Sequence, residues 1–313
     1  MQTDTMTVET TDGARIHAVR WLPDAGTPVR GVVQIAHGMA EHVQRYERFG
    51  AALTGAGYAV YANDHRGHGR TGELSGTRGY FADGAGFDWV VKDMAELTAL
   101  VRNEQPGTPV VLFGHSMGSF LSRAYVLRYG DDLAGLILSG TGGPGGRLSK
   151  LGLWLAQAEA RIRGRRHQSK LLTRMTFGSF NKEFKPNRTD FDWLSRDDAE
   201  VDAYAEDPWC GEIFTAGFFT DLFRASGAIN DDDVVVSVPK DLPILVVSGD
   251  MDPVGGELGE GVIDVAEQYK RLGVADVTVE LYPGARHELL NETNRDEVTN
   301  DILTWLNNHL PKD

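Results

Sequence analysis

Cysteine is almost absent from this sequence, in which Cys210 is the only one. A single cysteine excludes an intrachain disulfide and a zinc site built from several thiolates. A lone cysteine is most often a small buried apolar residue, and a better nucleophile is found elsewhere in the chain. No other pattern points to a metal or an organic cofactor, so we expect none.

Basic residues are outnumbered, with 31 Lys and Arg against 45 Asp and Glu and a formal net charge of -14. So acidic a surface repels phosphate backbones, which argues against nucleic-acid binding and weakens attraction to anionic membranes. No apolar run approaches the roughly 20 residues that span a bilayer. The N-terminus has neither the basic nor the apolar region of a secretory signal, which predicts a cytoplasmic protein.

Short β-branched runs alternate with longer stretches of helical periodicity. Strands are predicted at 5–10, 14–21, 31–36, 58–62, 110–113, 133–139, 243–248 and 277–282. Helices are predicted at 46–53, 87–101, 118–129, 262–272 and 298–309. This alternation predicts an α/β fold with a mainly parallel central sheet flanked by helices.

The alternation stops at a glycine- and proline-rich segment, residues 140–146. From there to about residue 236 the pattern is helical and aromatic-rich, without a clear buried strand. The sequence therefore predicts one core domain, residues 1–140 and 237–313, and a helical cap, residues 141–236, inserted between two strands.

A nucleophile motif follows the predicted strand 110–113. Gly114-His115-Ser116-Met117-Gly118 matches the pattern G-x-S-x-G, in which serine sits on a tight turn between strand and helix. Small residues two before and two after the serine allow neighbouring backbone to approach closely. Because the motif lies between a strand pattern and a helix pattern, we identify Ser116 as the candidate nucleophile.

A serine nucleophile needs a general base, and the base needs a carboxylate to orient it. His287 lies in the turn after the predicted strand 277–282, where the base is required. Asp250 and Asp252 both follow strand 243–248. We favour Asp252, because Asp250 is closer to the strand end and suited to shaping the turn, but both remain candidates at this point. The backbone N–H groups of Met39 and Met117 are the predicted oxyanion hole.

Several stretches together resemble the monoacylglycerol lipase and lysophospholipase branch of the α/β-hydrolases, also described as serine aminopeptidase-like hydrolases. These stretches are 37–42 with Arg45-Tyr46 behind it, 63–69, 114–118, 249–253 and 284–287. The resemblance implies an α/β-hydrolase fold, the triad Ser116, Asp252 and His287, and the oxyanion donors Met39 and Met117. It selects Asp252 over Asp250, and it implies that the insertion is a cap forming the acyl pocket.

Apolar side chains of the insertion are candidates for an acyl-binding surface. Leu151 and Trp154 share one predicted helical face with Leu148, and Phe218 and Phe219 belong to a phenylalanine-rich cluster. The same segments could instead form the core of the cap. A basic cluster, Arg161, Arg163, Arg165, Arg166 and Lys170, is by default a solvated face; its functional alternative is weak contact with an anionic membrane or binding of a lysolipid phosphate.

The main functional hypothesis is a serine hydrolase that cleaves small lipid esters, such as monoacylglycerols or lysophospholipids, through an acyl-enzyme. One alternative is an aminopeptidase or amidase, which would need an acidic group such as Glu183, Glu206 or Asp207 to hold a free amino terminus. Another is a non-enzymatic ligand receptor on a hydrolase scaffold. A dehalogenase would carry Asp at the position of Ser116. The oligomeric state is left open.

Overall fold

The computed structural model describes residues 1–144 and 146–310, without the side chains of 146–148. Eight strands form one sheet. They are β1 Gln2–Glu9, β2 Arg15–Leu22, β3 Gly31–Ala36, β4 Tyr58–Asn63, β5 Val110–His115, β6 Gly135–Ser139, β7 Ile244–Gly249 and β8 Val277–Tyr282. Each predicted strand is present, with its bounds moved by a few residues at most.

The strands lie in the order β1-β2-β4-β3-β5-β6-β7-β8. The pairs β1/β2 and β2/β4 are antiparallel, and every other neighbouring pair is parallel. The prediction of a mainly parallel α/β sheet is confirmed. Parallel order brings the carboxyl ends of β3, β5, β6, β7 and β8 to one edge, where the loops after these strands meet.

Eleven α-helices are described. They are α1 Glu47–Gly55, α2 Gly69–Ser75, α3 Gly86–Glu104, α4 Met117–Tyr129, α5 Gly146–Arg163, α6 Lys170–Phe177, α7 Asp198–Glu206, α8 Ala216–Ala228, α9 Asp232–Val235, α10 Glu260–Arg271 and α11 Arg295–His309. The short α2 was not predicted, because its sequence GRTGELS has two glycines and no apolar stripe. Among the described residues, no helix combines the length and the apolar character that crossing a membrane requires.

The two faces of the sheet carry separate apolar clusters. Leu112 and Leu136 pack on the side of α3, α4 and α10, whereas Val111 and Phe113 pack on the side of α1 and α11. Successive residues of β5 point to opposite faces, so a strand covered on both sides is apolar throughout. Hence the continuous apolar run of β5 carries Ser116 at the end of a rigid, fully buried element.

The segment between β6 and β7 contains helices α5 to α9, and the described part of it joins no strand to the sheet. Its helices α5 and α8 pack against each other through small residues, since Gly152 of α5 lies beside the ring of Phe223 in α8. The predicted boundaries at 140 and 236 fall close to the end of β6 and the end of α9. The division into core and cap remains our proposal.

Candidate active site

Ser116 occupies a strained turn between β5 and α4. Its backbone has φ 53° and ψ −120°, a region that residues with a side chain rarely adopt. The turn is held from both sides, because the N–H of Ser116 donates to Ser139 O at 2.9 Å and its carbonyl accepts from Ser119 N at 2.9 Å. This geometry is that of a nucleophile elbow, and it leaves the serine half-buried at the wall of a cavity.

The glycines of the motif meet the close-approach requirement. A Cβ at Gly118 would overlap the carbonyl oxygen of Ala36 at the end of β3, and one at Gly114 would overlap the carbonyl of Gly118. Both contacts are with backbone atoms, which cannot move aside as a flexible side chain can. The sequence pattern around Ser116 is therefore a packing requirement of the turn.

His287 and Asp252 form a buried pair. His287 Nδ1 lies 2.8 and 2.9 Å from the two carboxylate oxygens of Asp252, and the side chains are 3% and 0% exposed. Asp252 also accepts from the N–H of Val254 at 2.9 Å and from the Ser248 hydroxyl at 3.3 Å. Since Nδ1 faces the carboxylate, Nε2 is the ring nitrogen left to exchange a proton with Ser116.

Ser116 and His287 line the same cavity, and the described contacts include no direct hydrogen bond from the serine hydroxyl to the imidazole. Catalytic hydrogen bonds of this kind are often long before substrate binds.

Asp250, the other carboxylate considered, has a different position. It accepts a hydrogen bond from the N–H of Gly284 at 2.7 Å and so ties the turn after β7 to the turn after β8. The side chain in hydrogen-bond contact with His287 is therefore that of Asp252, and not that of Asp250. Asp250 braces the loop that carries the histidine.

The surroundings favour a charged His287. Burial disfavours the imidazolium, but the charge and hydrogen bond of Asp252, with smaller contributions from Glu288 and Glu41, outweigh it and raise the pKa of His287 above its ordinary value of 6.5. His115 lies against the ring of His287, with centroids 4.7 Å apart, and burial lowers the pKa of His115 to about 4. His115 is therefore neutral when His287 takes up a proton.

Two backbone N–H groups adjoin the nucleophile. Met117 is the first residue of α4, and Met39 lies in the loop after β3, which presses close enough for a Cβ at Gly38 to stand 3.1 Å from Ser116 Cβ. Neither N–H donates to any group in the described part of the chain. Donors left free beside a nucleophile suit an oxyanion, so the assignment to Met39 and Met117 remains our proposal.

A buried ionic chain supports this loop, and we assigned it no role from the sequence. Glu41 accepts from the N–H of Gly38 at 2.5 Å, from Tyr46 Oη at 2.8 Å and from Arg45 at 2.9 Å. Arg45 in turn donates to both carboxylate oxygens of Glu288, at 2.6 and 2.7 Å. These contacts join the loop after β3 to Glu288, the residue next to His287. The only indication of these contacts in the sequence is that residues 37–42 with Arg45-Tyr46 belong to the stretches that carry the family resemblance.

The cavity over Ser116 has a volume of about 630 Å³. Its apolar wall includes Met39, Phe177, Phe191, Trp193, Leu194 and Ile213, and most of its polar wall comes from residues 170–190. A mostly apolar cleft of this size with a few convergent polar groups is typical of small-molecule sites. Ser116 and His287 line it together with many residues of the segment between β6 and β7.

The four apolar side chains proposed for the acyl surface lie elsewhere. Leu151 and Trp154 are 49% and 64% exposed, Phe218 and Phe219 are fully buried, and none is among the described residues that line the cavity. This corrects the prediction from helical spacing. Helix α5 turns its small residues Gly152 and Ala156 inward, because close packing on α8 leaves no room for large ones. The side chain of Leu148 lies outside the described part.

The basic cluster is divided among several environments. Arg165 pairs with Asp221 at 2.7 Å, Arg166 contacts Asp83 at 3.3 Å, and Lys170 lines the cavity. Of the acids considered for an amino terminus, Asp207 pairs with His42 at 2.8 Å. Glu183 and Glu206 are not among the described lining residues.

Comparisons with known proteins agree with this fold. A family model described as serine aminopeptidase, S33, matches residues 27–294. The chain is 32% identical over 305 residues to a monoacylglycerol lipase of Mycolicibacterium smegmatis, covering 95% of each, and 28% identical to human monoglyceride lipase, covering 95% of this chain and 86% of the human protein.

A carboxyl esterase of Bacillus coagulans, solved with glycerol, superposes with a TM-score of 0.91 at 31% identity, over 98% of this chain and 99% of the esterase. Family match, sequence relatives and fold point the same way: the chain belongs to the serine aminopeptidase S33 family of α/β-hydrolases.

Proposed function

We propose that this protein hydrolyses monoacyl lipid esters through an acyl-enzyme on Ser116. The observation that carries the proposal is the placing of Ser116 and the His287–Asp252 pair on one partly apolar cavity. The relatives are named monoacylglycerol and monoglyceride lipases, and the structural neighbour is a carboxyl esterase. The enzyme class is thus carboxylic ester hydrolase.

In the first half-reaction, Ser116 Oγ attacks the ester carbonyl while His287 Nε2 takes the hydroxyl proton. The negative charge that develops on the carbonyl oxygen is placed between the N–H groups of Met39 and Met117. His287 then gives its proton to the alcohol that leaves. In the second half-reaction, water repeats the attack on the acyl-enzyme and frees Ser116 together with a carboxylic acid.

The aromatic wall supports an acyl chain as the bound group. Phe177, Phe191 and Trp193 offer apolar surface in the cavity that Ser116 also lines. An apolar chain buried there gains about 0.8 kcal/mol for each CH₂ group removed from water. We therefore retain the proposal that the insertion is a cap forming the acyl pocket, with this wall in place of the side chains that we first predicted.

The cap carries exposed apolar groups that support weak contact with a lipid surface. Trp154 and Ile162 of α5 and Leu171 and Met175 of α6 are 64%, 81%, 56% and 44% exposed. We propose that these side chains meet aggregated substrate. Neutralising the basic cluster Arg161, Arg163, Arg165, Arg166 and Lys170 should lower partition onto anionic liposomes, and unchanged partition would remove the proposed electrostatic part of the contact. A cytoplasmic location stays a prediction.

Amide or peptide hydrolysis remains the alternative reaction for the same residues. It needs an uncompensated acid to hold an amino terminus. Among the described lining acids Glu41 and Glu288 share Arg45, and Glu212 pairs with Arg78 at 3.0 Å. Asp190 is the one lining acid there without an ion pair, and it is exposed and shares the cavity with four cationic side chains. Medium-chain p-nitrophenyl esters should be hydrolysed faster than aminoacyl anilides. Faster anilide turnover would reverse the assignment.

Labelling with a fluorophosphonate tests the chemistry directly, and it also separates an enzyme from a ligand receptor. The wild-type protein should react with the label and lose its esterase activity. Ser116→Ala should be inactive and should not be labelled, while keeping the wild-type melting temperature. Ser119→Ala is the matched control, because Ser119 lies on the same turn but its hydroxyl donates to the carbonyl of Ser116 at 2.6 Å. Labelling of Ser116→Ala at the wild-type rate would refute the proposal.

A further inference from the structure

Four cationic side chains border the catalytic cavity along one segment of the insertion. They are Lys170, Arg174, Lys182 and Lys185. All four are exposed, and none makes an ion pair or a side-chain hydrogen bond with a described residue. What sets these four apart is their common position, because they line one cavity of a protein whose formal net charge is -14.

The acids of the same wall do not neutralise these cations. Glu41 and Glu288 are both engaged by Arg45, and Glu212 is engaged by Arg78. Asp190 is the one remaining lining acid in the described part of the chain. The unpaired charge around the cavity is therefore positive, in contrast with the molecule as a whole.

A cavity with an apolar wall and a cationic border matches an amphiphile with an acyl chain and an anionic head. The neutral head of a monoacylglycerol has no charge for the four cations to meet, whereas a phosphate offers strong acceptor oxygens to Lys and Arg. We infer that this site prefers monoacyl esters whose alcohol part carries a phosphate. The inference rests on the proposed function and narrows its substrate class.

The position of the cations favours recognition of a substrate over adhesion to a membrane. They share a cavity with Ser116, so one molecule can present an anionic group to them and an ester to Ser116. Lys150, Arg161, Arg163 and Arg166 belong to the same insertion, are also exposed and do not line the cavity. These four provide a control set with the same charge.

The test compares two substrates with one short acyl chain, 1-acylglycerol and 1-acylglycerol 3-phosphate, both below their aggregation concentrations so that no lipid surface is present. Steady-state constants are measured for the wild-type protein and two variants. The cavity variant carries Lys170→Gln, Arg174→Gln, Lys182→Gln and Lys185→Gln. The control variant carries Lys150→Gln, Arg161→Gln, Arg163→Gln and Arg166→Gln. Melting temperatures show whether each variant is folded.

The wild-type protein should have the higher kcat/KM on the phosphate ester, by about tenfold at low salt, and added salt should reduce the difference by screening. The cavity variant should lose this preference, because its KM for the phosphate ester should rise much more than its KM for the neutral ester. The control variant should keep the preference.

Equal losses on both substrates, or a preference that survives in the cavity variant, would overturn the inference while the proposed function stands. Absence of Ser116-dependent turnover of both substrates would overturn the proposed function, and this inference with it.

Discussion

Trp193, from the segment between β6 and β7, lies against the ring of His287, with centroids 4.9 Å apart and planes inclined at 35°. The same segment also accepts two backbone hydrogen bonds from the loop after β8. The N–H of His287 donates to Trp193 O at 3.4 Å, and the N–H of Glu288 donates to Leu194 O at 2.8 Å. The insertion therefore does more than line the cavity, because it also packs on one face of His287, the proposed general base.

This contact predicts a positioning role for Trp193. Replacing it with alanine should lower kcat by about tenfold or more, because a freed imidazole spends less time aligned with Ser116. Trp193→Phe keeps an aromatic face and should recover most of the rate. Trp154→Ala is the control, since that tryptophan is 64% exposed and outside the cavity lining. Equal kcat for Trp193→Ala and the wild type would contradict the role.

The two neighbouring aspartates should differ sharply when substituted. Asp252→Asn should lower kcat by about 10³-fold or more, because the amide cannot stabilise the imidazolium or hold its tautomer. Asp250→Ala removes one acceptor of a backbone N–H and should cost about 1 kcal/mol of unfolding free energy with a much smaller loss of kcat. Ester kinetics and urea unfolding measure both. The reverse order of kcat losses would exchange their assigned roles.

The pH dependence follows from the raised pKa of His287. The imidazole must be neutral to accept the serine proton, so kcat/KM should be full above its pKa and fall tenfold per pH unit below it. Because the pKa is raised, the midpoint of this acid limb should lie above 6.5. A midpoint below 6.5 in the wild-type profile would contradict the electrostatics described for the pair.

The raised pKa has a second, separable contribution. Glu288 also raises the pKa of His287, so Glu288→Gln should move the midpoint to lower pH. Glu280→Gln, on the exposed side of β8, is the matched control and should leave it unchanged. If the midpoint moved equally in the two variants, the pKa of His287 would depend on the net charge of the protein and not on the nearness of Glu288.

The packing of the elbow predicts a large stability difference between two glycines. Gly118→Ala would overlap the backbone of β3 and should lower the unfolding free energy by about 3 kcal/mol or more, since neither chain can shift without breaking the sheet edge. Gly55→Ala, at the end of α1 with no atom near the added methyl, should be neutral or slightly stabilising. Similar unfolding midpoints for the two variants would contradict this packing.

Much of the fold was predictable because local physics and global architecture agree here. A strand covered on both faces must be apolar throughout, so β5 and β7 were visible as unbroken apolar runs. A nucleophile on a tight turn needs small neighbours, so Gly114 and Gly118 marked Ser116. The hydrogen bond from the N–H of Gly284 to Asp250 could not be predicted from the sequence, because it joins turns that are 34 residues apart.

The insertion was least predictable, and the reason is physical. Spacing along α5 indicates which residues share a face, but it does not say whether that face packs, lines a cavity or meets solvent. Trp154 points outward and Ala156 inward because α5 lies against α8, a contact between segments about 70 residues apart. The cavity wall came instead from residues without a strong period, among them Phe177 and Trp193.

The sequence by itself determined the local features on which the proposed chemistry depends: a serine framed by glycines, a histidine and an aspartate each placed after a strand, and an alternation that admits one class of sheet. These features are local, since each is required by the turn or strand that contains it. Tertiary structure alone decided that Asp250 binds the N–H of Gly284, that Trp193 packs on the ring of His287, and that four cations share a cavity with Ser116. Those relationships depend on how distant segments pack, and no local rule specifies them.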